Sequence, residues 1–311
     1  MIGWISPVPV GATFSGGTRK LWDLSQILVD HGFASVVIPY ADLRSGAPGI
    51  AWTERTLVVV PEVYDTEIAT IVPPGVRRVA FVQNGYLLNA TEPVHPYDTC
   101  PDLVAILTSC DNDTRLVRER CPRFAGPIIR THSSGNGRLG KPGPFSYGPW
   151  PRERRVLYFE YKNGPGSWTG GDLLGPLFGS LDLPAGWELV LLSGRSDEQI
   201  AGLMRTSALF VAPLRKEGMC APTSEAMITG CVIVGWDGGG AAEYLRSRAM
   251  LAEQDNVDDL RGLVRACADA VDHDLVDWGP TTEVWSNWFQ NMYSRDREVM
   301  EIVNIAHRLG A

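Results

Sequence analysis

The stretch A208-L-F-V-A-P-L-R-K-E-G-M-C-A-P-T-S-E-A-M-I-T-G-C-V-I-V-G-W-D-G-G-G-A-A-E-Y-L245 sets the kind of fold the chain can adopt. It opens on a short continuous apolar run, 208–212, of the sort that forms a strand buried on both faces. A loop is expected next, ending at Glu217. Pro222 stands in the first turn of a helix, where its missing N–H costs nothing. Glu225 lies about one turn in, Gly230 closes the helix, and 231–234 reads as a second strand. The whole is one step of a parallel α/β sheet, and loops at the carboxyl ends of such strands line ligand crevices. Glu217 is therefore placed to accept hydrogen bonds from a polyol, and the amides at the helix start to hold a phosphate. The two oxygens of Glu225 suit the adjacent hydroxyls of a ribose.

Outward from this stretch the same alternation covers the chain. Apolar runs at 34–38, 56–60, 78–82, 103–107 and 128–130 precede it, with 155–159 and 188–192 closer by. Helical patterns separate several of them, notably 18–31, 196–205 and 257–271. Leu21, Leu24 and Leu28 share one face of the first, and Gly32 ends it. The segment from Ser133 to Pro151, S-S-G-N-G-R-L-G-K-P-G-P-F-S-Y-G-P-W-P, carries too many glycines and prolines to propagate a helix or a central strand. Two α/β units joined there, 1–145 and 146–311, are the simplest organisation. A single long helix over 281–309 is expected at the end. Its broad stripe of Val284, Trp285, Trp288, Phe289 and Met292 packs either on its own unit or back on the N-terminal one.

Bulk properties narrow the function. With 311 residues, 44% hydrophobic and 21% charged, the chain has room for a sizeable core. No apolar run is long enough to cross a membrane, and no secretory leader is recognisable, so a cytoplasmic location is expected. The six cysteines lack C-x-x-C spacing, which fits reduced thiols better than a zinc site or a disulfide framework. The net charge of −8 falls on the second half, and this disfavours nucleic acid as a partner. One basic run, Arg115, Arg118, Arg120 and Arg123, reads first as a solvated helix face and second as a contact for an anionic surface.

Near the start, G11-A-T-F-S-G-G-T18 has the glycine spacing of a phosphate loop, but Gly17 occupies the lysine position. No G-x-G-x-x-G is present either. What remains is a strand–glycine turn–helix junction whose backbone can approach an anion or a ligand closely.

Two segments together carry a family resemblance. E217-G-M-C-A-P-T-S-E-A-M-I-T-G-C-V-I-V234 with G238-G-G-A-A-E243 resembles the E-x7-E region of retaining glycosyltransferases of family 4. G16-G-T-R-K-L-W-D-L-S-Q-I-L-V-D-H-G-F-A-S-V-V-I38 is similar to the same family's N-terminal loop, helix and strand. The resemblance implies a GT-B fold, α/β with two Rossmann-like domains facing across a cleft. It further implies an enzyme moving a sugar from a nucleotide diphosphate-sugar to an acceptor, with retention at the anomeric carbon and no metal. By the same likeness Glu217 binds the donor sugar and Glu225 the ribose. Gly218, Met219, Cys220 and Ala221 contact sugar and phosphate, while Gly16 and Gly17 approach the diphosphate from the other domain. The family's basic pair is represented in Y158-F-E-Y-K-N-G164 by Lys162 alone, the arginine being lost. Arg195, Arg215 or Lys216 are its candidate substitutes. Where the family often carries a histidine, this chain has Gln83 and Asn84, so a hydrogen-bonding role replaces a titrating one.

Other features have plainer readings. His31 falls at a helix end, where it favours the dipole; His132 follows a strand and begins the linker. D111-N-D113 precedes a helical run and is explained by capping rather than by a D-x-D metal site. H-E-x-x-H, G-x-S-x-G and clustered Cys/His patterns are absent from the sequence. Two alternatives stay open: a sugar-nucleotide epimerase or other enzyme on the same architecture, and a non-catalytic subunit that binds sugar nucleotides.

Overall fold

A computed structural model describes residues 1–8, 16–45, 51–88, 93–138, 141–159, 179, 181–253 and 256–310. The chain divides into two compact units, Met1–Pro142 with Arg295–Ala311, and Gly143–Ser294.

The first unit is built on six parallel strands: β1 (Ile2–Ser6), β2 (Ser35–Pro39), β3 (Leu57–Pro61), β4 (Arg77–Val82), β5 (Leu103–Thr108) and β6 (Ile128–Arg130). Their order is β2-β1-β3-β4-β5-β6. Successive residues feed opposite cores, as the pleat requires. Leu57, Val59, Val79 and Phe81 join Trp4 on one face, while Val58, Val60, Ala80 and Val82 join Ile5 on the other. Both faces being covered, the strands read as unbroken apolar runs. Helix α1 (Gly16–Asp30) lays Leu21, Leu24, Ile27 and Leu28 on the Trp4 face. It ends at Gly32, whose φ of +84° suits the left-handed closing position. Among the described residues this part of the unit also holds α2 (Tyr40–Arg44), α3 (Pro96–Thr99) and α4 (Asp111–Arg120).

At the amino end of the sheet Arg78 is fully buried. Its guanidinium donates to the carbonyls of Val76 and Val72 and to Asp102 Oδ2, each at 2.7 Å. The charge is thus enclosed by acceptors that pull the 69–76 connection onto β4.

The segment after β6 contains a small antiparallel pair, β7 (Gly137–Arg138) with β8 (Lys141–Pro142), inside the stretch expected to be irregular. The second unit follows with five parallel strands: β9 (Glu153–Tyr158), β10 (Glu188–Leu191), β11 (Ser207–Glu217), β12 (Val232–Gly239) and β13 (Met250–Leu251). Their order is β10-β9-β11-β12-β13. Helices α5 (Asp197–Thr206), α6 (Ala221–Thr229), α7 (Ala242–Leu245), α8 (Val257–Asp272) and α9 (Trp278–Met292) accompany them. A capping box of Ser196 and Gln199 starts α5.

Two expectations are corrected. Strand β11 does not stop at Ala212; it runs on through Pro213 to Glu217, because β12 also continues and pairs with it as far as Gly239. The last helix is two helices, α9 and α10 (Arg295–Arg308). The chain turns at Tyr293, whose ring stacks on Phe289 and whose hydroxyl reaches Glu243 at 2.6 Å. Asp296 and Glu298 then favour a new N-terminus. Phe289 belongs to the core of the second unit, whereas Ile302, Ile305, Ala306 and Leu309 of the last segment belong to that of the first. Polar contacts fasten α10 as well: Lys20 Nζ lies 2.7 Å from Glu298, Arg295 pairs with Asp23, and His132 Nδ1 lies 2.8 Å from Glu301.

Candidate active site

The candidate residues fall into two sets, each described within its own unit. In the second unit the strand order reverses direction between β9 and β11, so the crevice of an open α/β sheet lies at the carboxyl ends of these two strands. Glu217 is the last residue of β11. Gly218 is buried, Met219 half-buried, and Cys220 buried at the N-cap of α6. The Cys220 side chain makes no capping bond, and Pro222 removes one amide from the first turn. The helix therefore begins with amides that its own cap does not consume, the arrangement that favours an anion. Glu225 is buried in the helix, its carbonyl accepting from Thr229 Oγ1 at 3.0 Å.

This turn is held from two sides. The Cys220 carbonyl accepts from Ser224 N at 3.1 Å, Ser224 Oγ at 3.0 Å and Tyr244 Oη at 3.3 Å. The glycine turn after β12 braces the other side, Gly240 N donating to the Glu217 carbonyl at 3.1 Å. Gly238 and Gly239 take φ of +59° and +84°, and Asp237 Oδ1 accepts from Gly239 N at 2.8 Å. Position 240 has no room for a side chain, since a Cβ there would fall 2.6 Å from the Glu217 carbonyl oxygen and closer still to that of Gly218. Glu243 is fixed by the Tyr293 hydroxyl. Tyr244 is itself fully buried, and burial pushes its phenol well above the usual range, so it serves as a neutral donor.

Arg195 is exposed in the turn after the edge strand β10, its Nε donating to the Leu191 carbonyl at 3.0 Å. Arg215 and Lys216 sit on β11 itself, beside Glu217. Lys162 lies outside the described residues, which end at Phe159 just beyond β9.

In the first unit, Gly16 and Gly17 are the first two residues of α1, while 11–15 lie outside the described residues. A Cβ at Gly17 would meet the side-chain amide of Gln83 at 3.4 Å, so glycine allows the helix head and Gln83 to lie against each other. Asn84 is buried, and its Oδ1 accepts from Tyr86 N at 3.1 Å, capping the short turn Gly85–Leu87. The Asn84 side-chain carbonyl oxygen is thus engaged within the loop.

Sequence reasoning passed over the groups beneath this loop. Glu62, just after β3, accepts from Gln83 N through Oε2 at 3.2 Å and from Asn84 N through Oε1 at 3.1 Å. Asp113 accepts from Gly85 N at 2.8 Å and from Ser109 Oγ at 2.7 Å. Burial pushes the Glu62 carboxyl up to about 8, and the Asp113 charge adds to the shift against three backbone amides, those of Glu62 itself, Gln83 and Asn84. The expected capping role of D111-N-D113 is also revised: the N-cap of α4 is Cys110, whose Sγ accepts from Asp113 N at 3.4 Å. That frees the Asp113 carboxylate to face Gly85, while Asp111 pairs with Arg130 at 2.9 Å. The only signal in the sequence was a charged residue directly after an apolar strand.

Among the described residues no group of three or more His, Cys, Asp or Glu side chains is arranged to hold a metal ion. The six cysteines are free and buried, and no described helix is long and apolar enough to cross a membrane. Of the basic run, Arg115 is engaged with Glu119 and Asn112, and Arg120 donates to the Leu88 carbonyl.

Comparison with known proteins bears on the fold and on part of the second unit. Residues 178–270, from before β10 to within α8, match the sequence model of the family described as glycosyl transferases group 1. No curated protein sequence matches the chain. Among solved structures, a sucrose-phosphate synthase from Thermosynechococcus elongatus superposes with a TM-score of 0.70 at 9% identity, covering 99% of this chain and 98% of that one. A glycosyltransferase from Rickettsia africae gives 0.65 at 10% identity, with 99% and 98% covered. WaaG, a glycosyltransferase involved in lipopolysaccharide biosynthesis, gives 0.58 at 11%, with 94% and 97% covered. Two parallel-sheet α/β units matching these proteins over nearly their full length give the chain the GT-B fold.

Proposed function

We propose that the chain is a glycosyltransferase that moves a sugar from a nucleotide diphosphate-sugar to an acceptor with retention at the anomeric carbon. One observation carries the reading: Glu217 ends the central strand β11 and leads directly into a helix start that its own cap leaves open. The family match, which spans this segment, supports it.

On this reading Glu217 accepts hydrogen bonds from the donor sugar's hydroxyls, and Glu225 takes the ribose diol. The backbone of Met219, Cys220 and Ala221 contacts the sugar and diphosphate. As the bond to the leaving diphosphate breaks, negative charge grows on its oxygens, and helix-start amides with Lys162 stabilise it without a metal. Gly16 and Gly17 bring backbone close to the diphosphate, and Gln83 and Asn84 serve the reacting sugar or the acceptor through hydrogen bonds. Fold alone does not fix a reaction, so the assignment rests on these residues.

The test is donor turnover. Wild type is expected to consume one of UDP-glucose, UDP-N-acetylglucosamine or GDP-mannose when an acceptor is supplied, with the product's anomeric configuration read by NMR. Glu217→Ala is expected to lose at least about 100-fold of that rate while keeping its thermal midpoint, the loss of one transition-state contact. Wild-type turnover in Glu217→Ala would sink the site assignment, and an inverted product would sink retention. Conversion of the donor to its epimer without an acceptor would favour the epimerase alternative, which the missing arginine beside Lys162 keeps in view.

A further inference from the structure

The loop after β4 is shaped by side chains as well as by its own backbone. Four consecutive amides, from Gln83 to Tyr86, donate to side-chain oxygens of Glu62, Asp113 and Asn84. The two carboxylates reach the loop from different neighbours, Glu62 from the end of β3 and Asp113 from the first turn of α4. Ser109 Oγ lies between Asp113 Oδ2 at 2.7 Å and the Gln83 carbonyl at 3.2 Å, closing the arrangement. Glu62 and Asp113 are both buried, and a Cβ at Gly85 would fall 3.3 Å from Asp113 Cα, so the loop has no slack on that side. On the other side the Gln83 amide rests against Gly17 at the head of α1.

We propose that Glu62 is a positioning residue: together with Asp113 it sets where Gln83 and Asn84 point, and its protonation state decides how firmly it does so. The inference rests on the proposed function only in giving Gln83 and Asn84 a ligand to face. Ionised, Glu62 offers an acceptor oxygen to each of two amides, as charge-assisted bonds. Protonated, one oxygen carries a hydrogen and its amide bond weakens, because a neutral hydroxyl oxygen is the poorer acceptor. The groups facing Glu62 set the balance. Asp113 on α4 opposes its ionisation, as burial does. Tyr97 on α3 lies within electrostatic range of both Glu62 and Asp65, and Asp65 in turn is 3.1 Å from His95 Nε2. Burial and these acidic neighbours hold Tyr97 well above its usual range, so it remains neutral throughout. Of Glu62 and Tyr97, Glu62 is the one whose raised range still falls near physiological pH.

Amide NMR from about pH 5.5 to 9.5 tests this directly on the full chain. In wild type the Gln83 and Asn84 amide signals are expected to move together with a midpoint near 8, the value to which the Glu62 carboxyl is raised. In Glu62→Gln, which has one acceptor oxygen at every pH, that titration is expected to vanish while the spectrum stays folded. Asp113→Asn is the second variant: Gly85 should shift at all pH values, and the Gln83–Asn84 midpoint should fall. With whichever probe donor turns over, kcat in wild type is expected to rise several-fold through the same midpoint. Glu62→Gln should flatten that rise and leave KM for the donor unchanged. A pH-invariant Gln83–Asn84 pair in wild type, or the same titration surviving in Glu62→Gln, overturns the proposal. If no probe donor turns over, the proposed function fails, while the amide titration still upholds or overturns the role of Glu62.

Discussion

Gly240 donates its amide to the Glu217 carbonyl at 3.1 Å, so the end of one strand and the turn after the next are locked backbone to backbone. A side chain at 240 has to push that turn off the residue that leads into α6. Gly240→Ala is expected to cost about 2 kcal/mol, in the range for forcing a methyl group into a packed site. Urea denaturation reads the loss. A nucleotide diphosphate-sugar should also bind the variant at least about 10-fold more weakly by calorimetry, because the strained turn carries the donor contacts. Undiminished stability would mean that the turn can move without Glu217.

Acid should loosen the last helix. Burial works against ionisation of Glu301, but the hydrogen bonds from His132 and Arg297 outweigh it and draw the carboxyl down to about 2 from an ordinary 4.5. A depressed carboxyl stabilises the fold fully above the unfolded value and loses that contribution as pH falls through the folded one. The wild type should therefore lose stability from pH 4.5 down to about 2. Glu301→Gln should be weaker at neutral pH and show a shallower acid limb in denaturation curves taken across that range.

Base should act through Glu62 with the opposite sign. Its carboxyl is raised to about 8 from 4.5, so its contribution is complete below pH 4.5 and disappears as pH climbs through 8. Across that interval the loss amounts to a few kcal/mol, at about 1.4 kcal/mol for every pH step of one between the two values. Glu62→Gln should remove the slope, and chemical denaturation on the acid and alkaline sides of the interval would show it as a smaller difference between the two.

Much of the architecture was legible because parallel strands with both faces covered announce themselves as unbroken apolar runs. Val58, Val59 and Val60 need no partner to be recognised as one. Strand β11 hid its last five residues, since P-L-R-K-E from Pro213 to Glu217 reads as a loop; only pairing with β12 extends it. The break between α9 and α10 was equally invisible, because it depends on Tyr293 reaching Glu243, which is distant in sequence. The position of Glu225 one turn into a helix was legible from Pro222 and Gly230, whereas Glu217 was expected at the end of a loop and ends a strand instead. The grip of Glu62 on Gln83 and Asn84 was not legible, for nothing in local sequence tells a carboxylate which distant amide it will meet.

Arg78 offers a test of the frame beneath the site. Replacing it by Ala would take the guanidinium from the carbonyls of Val72 and Val76 and from Asp102, which would keep only the Gly75 amide. The expected cost is about 1–3 kcal/mol for each buried carbonyl left without its donor, Asp102 being partly exposed to solvent. Arg78→Lys should recover only part of it, as an ammonium cannot span the same set of acceptors. Thermal midpoints of the two variants would rank them.

The allocation of α10 has a consequence for how the molecule comes into being. Ile302, Ile305, Ala306 and Leu309 complete a core whose other fully buried members all come from the stretch that ends at Leu107. During synthesis the second unit, one unbroken segment from Gly143 to Ser294, has every residue it needs before the first unit does. The first unit is thus completed after the second, waiting with an uncovered apolar face beside Trp4 and Leu24 until α10 has been made.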